Sequence, residues 1–153
     1  MNRCTKLWPL LFLGHLALFG QSRDETADFI IKEMRSLEDK TFFMTDISFS
    51  PSGELFTLRR RHQGKPDKSV VLSLKQVDIY CCPTHHAGGS DFYKLVARSR
   101  GRDGQFTVNG LTFHGSVNLV GRSLDKRKMK ALERAFGHMA ALAGGRKELF
   151  DSK

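Results

Sequence analysis

Between Thr41 and Gly121 the apolar residues come in short runs separated by glycine- and proline-bearing turns, a pattern that narrows the fold more than any other feature. Phe42, Phe43, Ile47 and Phe49 lead into the turn Ser50-Pro51-Ser52-Gly53, and Leu55 to Leu58 continues through Arg59-Arg60-Arg61. A second turn holds Gly64 and Pro66, and residues 69–74 form a third apolar run. Residues 77–81 read as a fourth strand or an irregular connection, residues 83–90 as a loop, and residues 92–97 as extended again. Asp103-Gly104, a favoured hairpin pair, turns the chain into residues 105–108, and a last strand spans residues 112–120. Short strands at this spacing predict an antiparallel sheet curled into a sandwich or barrel.

Helical periodicity brackets these runs. Ser22 with Glu25 three residues on is a capping box. Behind it Ala27, Ile30, Ile31, Met34 and Leu37 fall on one face, which predicts a helix over residues 24–38. Ser123, with Asp125 in the first turn, opens a second helix striped by Met129, Leu132, Phe136, Met139 and Ala143 and stopped by Gly144-Gly145. Lys126, Arg127, Lys128, Lys130 and Arg134 fill its other side. The expected fold class is α+β: an antiparallel β-barrel or sandwich flanked by the two helices, one domain over residues 23–145, with a polar tail at 146–153. This element order resembles that of the pleckstrin-homology-like barrels, and the resemblance implies a binding or docking scaffold.

Ahead of the first helix, Arg3 and Lys6 precede an apolar run from Leu7 to Phe19, followed by Gly20-Gln21-Ser22 and the charged Arg23-Asp24-Glu25. That is the layout of an export signal over residues 1–22. A bilayer-crossing helix needs about 20 apolar residues, and Pro9 and His15 interrupt this run. The other reading is an uncleaved anchor or a buried terminal helix. Export would make the protein secreted or periplasmic, where the available anions are lipid headgroups, acidic envelope polymers and acidic proteins rather than nucleic acid. The formal net charge is +9. Loss of residues 1–22 removes Arg3 and Lys6 but no acid, so the remaining chain stays basic and favours an anionic envelope component or an acidic protein. Cys81 and Cys82 would be its cysteines, so the domain must rest on its core rather than on a disulfide framework.

Two clusters carry candidate chemistry. Strand alternation sends Arg59 and Arg61 to one face and Arg60 to the other, and Arg98 and Arg100 alternate in the same way. If their strands are neighbours, Arg59, Arg61, Arg98 and Arg100 line an anion-binding groove that grips phosphate or carboxylate through guanidinium forks; otherwise they are solvated charges. The second cluster is Cys81-Cys82-Pro83-Thr84-His85-His86. Cys81, Cys82, His85 and His86 are ligand types for Zn or Cu, which would make this a metal-binding or redox protein. Neighbours on a strand point to opposite faces, so His62 or His114 would have to complete such a set. A constrained vicinal disulfide, or one buried and one half-exposed thiol, are the alternatives. The chain has no His-Glu-x-x-His, no Gly-x-Ser-x-Gly and no phosphate-binding glycine loop. The expectation is therefore a non-catalytic binding protein.

Overall fold

Ser22 starts the first helix as its sequence suggests. In the computed structural model, which describes residues 22–39, 42–85 and 91–144, helix α1 (Arg23–Arg35) follows directly. The Ser22 hydroxyl accepts from the Glu25 N–H at 3.2 Å and the Glu25 carboxylate accepts from the Ser22 N–H at 2.7 Å. Two donors that a helix start would leave orphaned are thus satisfied reciprocally. Thr26, Ile30 and Met34 form its buried line. The helix stops at Arg35, short of residue 38, where the Leu37 and Glu38 N–H groups donate to the Met34 and Arg35 carbonyls three residues back instead of four. Glu38 Oε1 accepts from the Met44 N–H at 2.8 Å and Arg35 Nη1 donates to the Met44 carbonyl at 3.0 Å. Met44 lies on an edge strand, so these side chains cap backbone groups that would otherwise invite foreign pairing. The expected export signal lies outside the described residues apart from Ser22, and so does the polar tail.

Among the described residues eight strands follow: β1 (Phe42–Phe49), β2 (Leu55–His62), β3 (Lys68–Ser73), β4 (Val77–Thr84), β5 (Phe92–Ser99), β6 (Phe106–Val108), β7 (Leu111–Phe113) and β8 (Ser116–Ser123). They form two antiparallel sheets, β1-β2-β3-β6-β7 and β4-β5-β8. The expected barrel is corrected here: the sheets keep separate edges and do not close. The expected hairpin at Asp103-Gly104 is corrected with it. β5 and β6 belong to different sheets, so the turn is a crossover.

The reason is a corner where three crossovers meet. Arg100 N–H donates to the Gln76 carbonyl at 2.8 Å, Gly104 N–H to the Arg100 carbonyl at 3.1 Å, and Ser99 N–H to the Gly115 carbonyl at 2.8 Å. These bonds tie β3–β4, β5–β6 and β7–β8 together. Gly104 is required: a Cβ there would stand 2.4 Å from Arg100 backbone atoms and 2.5 Å from the Gln76 carbonyl. The tight two-residue hairpin lies instead at Asn109-Gly110, between the paired residues Val108 and Leu111. Both turn residues have positive φ, 51° and 80°, the backbone such a turn demands. The single strand expected over residues 112–120 is broken into β7 and β8 at Gly115, whose φ is 107°. β4 runs on through Pro83, where the expected loop would begin. It is an edge strand, where a missing N–H is tolerated.

Helix α2 (Lys126–Leu142) closes the fold. It begins after Asp125, whose carboxylate accepts from the Lys128 N–H at 2.9 Å. Ser123, the cap expected from sequence, ends β8 instead, and its hydroxyl accepts from the Asp125 N–H at 3.1 Å. Met129, Leu132, Phe136 and Met139 are all buried, as the stripe predicts. Phe136 meets Phe56 of β2 edge-on at 5.0 Å. With Leu58, Leu72, Leu95 and Leu119 they make one core shared by both sheets and both helices. Among the described residues no helix is long and apolar enough to cross a membrane.

Candidate anion-binding surface

β2 alternates as its sequence implies. Arg59 and Arg61 are exposed, while Phe56, Leu58 and Arg60 point inward and are buried. Arg61 clasps Asp67 with both arms of its fork, Nη2 reaching Oδ2 at 2.8 Å and Nε reaching Oδ1. That bond raises the Arg61 pKa and lowers the Asp67 pKa, each holding the other charged.

The other candidate arginines lie elsewhere. β5 pairs with β4 and β8, never with β2. Arg98 is exposed, opposite Asp78 and Ser116 in the register. Arg100 is a corner fastener: it grips Asp78 Oδ1 through Nε at 2.9 Å and Nη2 at 2.7 Å, and donates to the Lys75 and Val77 carbonyls at 3.1 Å. Arg61 sits beside Asp67, just before β3, while Arg100 is bound just past its end. The length of that strand, roughly 20 Å at its usual rise, separates them. The structure therefore does not bring Arg59, Arg61, Arg98 and Arg100 into one groove.

The cysteine and histidine candidates also diverge. Cys81 faces the core and Cys82 the opposite side of β4, half-buried, and both thiols are free. Burial pushes the Cys81 thiol pKa up, against the pull of Lys130 and Lys126 on α2. His85 Nδ1 pairs with Asp91 Oδ1 at 2.8 Å, and His86 lies outside the described residues. His62 packs on the Phe42 ring at 4.9 Å, and His114 Nδ1 bonds the Gly104 carbonyl at 2.9 Å. Among the described residues no three His, Cys, Asp or Glu side chains gather to hold a metal ion.

Unbalanced positive charge collects in two other places. The first is the amino end of α2 with β8. Arg122 lies over the Phe92 ring and Lys126 over the Tyr93 ring, each at 5.8 Å. Lys126, Lys130 and Arg134 continue at four-residue spacing down the helix, and Arg127 flanks them. Lys130 is bound to Glu133 at 2.6 Å, and Lys128 to Ser36 at 2.8 Å with Glu33 at 3.9 Å. Arg122, Lys126, Arg127 and Arg134 form no ion pair among the described residues.

The second place is inside β2. Arg60, only 6% exposed, lies opposite Lys68 in the register, with His62 two residues along the same face. Arg60 faces away from Arg59 and Arg61, which keeps it out of the candidate arginine set drawn from the sequence. Its place in the inward series Phe56, Leu58, Arg60 was the signal that a charge enters the core. Comparison with protein-family models, curated proteins and solved structures finds no match to this chain.

Proposed function

We propose that this is an exported, non-catalytic binding protein that holds an anionic envelope component or an acidic protein on a basic surface. The observation that supports it is the first turn of α2, Lys126-Arg127-Lys128, which contains no acid. Exposed backbone N–H groups already make this end of the helix positive, so each cation there is disfavoured by about 0.3–1 kcal/mol. Asp125, the N-cap, offsets part of this at one N–H. A bound polyanion would relieve the rest. Arg122, Lys126, Arg127 and Arg134 are its contacts, and the rings of Phe92 and Tyr93 hold the first two in place. Arg59 and Arg98 add exposed charge elsewhere, whereas Arg61 and Arg100 would have to leave Asp67 and Asp78 to reach a ligand.

The test is retention on vesicles containing phosphatidylglycerol, and on an immobilised acidic polymer, at low salt. Changing Arg122, Lys126, Arg127 and Arg134 to Ser together should abolish retention, while the same change at Arg59, Arg61, Arg98 and Arg100 should only weaken it. Unchanged retention of the first variant would refute the assignment.

A further inference from the structure

The inner face of β2 carries a cation where an apolar residue belongs. Phe56 and Leu58 ahead of it are fully buried, and Arg60 continues their line at 6% exposure. Its cross-strand neighbours are Met44 on β1 and Lys68 on β3. Lys68 therefore shares its face, a like charge directly opposite, which destabilises a sheet. His62, the last residue of β2, is on that face too, against Phe42 at the start of β1.

Among the described residues no acid forms an ion pair with the group. Arg60 Nη1 donates to the Leu119 carbonyl of β8 at 3.0 Å, but its Nε is buried with no hydrogen-bond partner. Neither Arg60 nor Lys68 forms an ion pair among the described residues. The carboxylate that acts on His62 is Asp39, whose Oδ1 already accepts from the Phe42 N–H at 2.8 Å. An unpaired buried guanidinium is among the costliest groups a core can hold, and it persists where something compensates for it.

We propose that Arg60, Lys68 and His62 form a binding site for a phosphate-class oxyanion, either free phosphate or the phosphate of a larger ligand. The unpartnered Nε–H offers a strong charge-assisted bond, and the flat guanidinium suits a multi-oxygen acceptor. Lys68 supplies a second charge, and His62, whose proton is disfavoured by these cations when the site is empty, can take one up against a bound dianion, which a single carboxylate would not match. Lys68 opens β3 and His62 closes β2, and both are only half-buried, so the trio sits at one end of the first sheet, within reach of solvent. This site is separate from the α2 surface, and either can fail without the other.

The experiment is thermal unfolding and calorimetric titration with inorganic phosphate, against sodium chloride at equal ionic strength. Phosphate should stabilise the protein saturably and chloride should not. Arg60→Met should weaken phosphate by more than ~30-fold, as loss of one partner of a buried charge pair does. Without phosphate that variant should melt at or above the parent, because a buried charge has been replaced by an apolar group of similar length. If Arg60→Met does not fold, Lys68→Gln at its half-buried position reads the same site and should weaken phosphate by up to ~5-fold. A second arm uses phosphatidate against phosphatidylcholine vesicles, with the four α2 cations changed to Ser so that surface attraction is absent. Arg60-dependent binding to phosphatidate without a response to free phosphate assigns the site to a headgroup, and a response to free phosphate assigns it to a soluble ligand. No Arg60- or Lys68-dependent effect in either arm would overturn the proposal.

Discussion

Arg60 of β2 donates its Nη1 to the Leu119 carbonyl of β8 at 3.0 Å, a direct polar link between the two sheets. The bond uses one edge of a guanidinium whose Nε has no partner, so the fold employs the residue without satisfying it. Shortening Arg60 to Ala removes this link and the packing of its stem. We expect a loss of about 2–5 kcal/mol, as for other long buried side chains cut back to Ala. Arg60→Met leaves the same carbonyl unpaired but keeps the packing and removes the buried charge, so it should stay near the parent. Chemical denaturation of both variants in phosphate-free buffer checks the pair, and equal destabilisation of the two would mean the residue is structural.

The three-way corner depends on Gly104. Gly104→Ala drives a Cβ into backbone atoms of Arg100 and Gln76. Backbone cannot swing aside as a side chain can, so the variant should lose at least ~3 kcal/mol, the upper range for overpacking. A melting temperature near that of the parent would show that the crossovers are not tied at this point.

Phe136 is the ring through which α2 reaches the first sheet, edge-on to Phe56 and 6.2 Å from Phe49. Phe136→Ala should cost about 3–5 kcal/mol, as buried phenylalanine truncations do. A loss below 1 kcal/mol would mean that α2 does not seal this core.

How much of this was readable beforehand follows from the physics of each element. The α2 stripe and the Ser22 box were readable because helical spacing and capping are local. The opposite orientations of Cys81 and Cys82, and of Arg60 and its neighbours, followed from strand alternation alone. Sheet membership did not, because Asp103-Gly104 looks like a hairpin turn whether it joins neighbours or crosses between sheets. The Asn109-Gly110 hairpin is a strong local signal in the gap between the expected strands 105–108 and 112–120, but it is not read as a turn because Asp103-Gly104 competes for that role. The isolation of Arg60 from acids could not be read, since it depends on which residues five strands bring near it.

The cap makes its own prediction. Ser22→Ala removes the acceptor for the Glu25 N–H and should cost about 1 kcal/mol. The same loss is expected for a chain starting at Arg23, so amino-terminal sequencing of the purified protein together with its stability tests whether Ser22 is retained. Equal stability of chains starting at Ser22 and at Arg23 would show that the cap contributes nothing.

His62 links stability to pH. Burial, then the charges of Arg60 and Lys65, with Lys68 adding to them and Asp39 opposing, hold its pKa below the ordinary value. The folded protein thus binds fewer protons there than the unfolded chain, so stability is present above ~6.5 and is lost as pH falls through that value toward the folded one. His62→Gln should flatten the acid slope in that window, measured without phosphate. An unchanged slope would contradict the placement of His62 among these cations.

The thiols should differ sharply. Cys82 should react with a disulfide reagent in the native protein, and Cys81, buried against α2 with its pKa raised by that burial, only on unfolding. Two fast thiols, or none, would contradict the β4 orientation.

The most direct measurement of the central claim is a salt titration of binding to phosphatidylglycerol vesicles, run in parallel for the parent and the variant with Arg122, Lys126, Arg127 and Arg134 changed to Ser. The account predicts tight parental binding that falls steeply as salt screens the charges, and no binding by the variant at any salt concentration. Parental binding that ignores salt, or a variant that binds as the parent does, would contradict it.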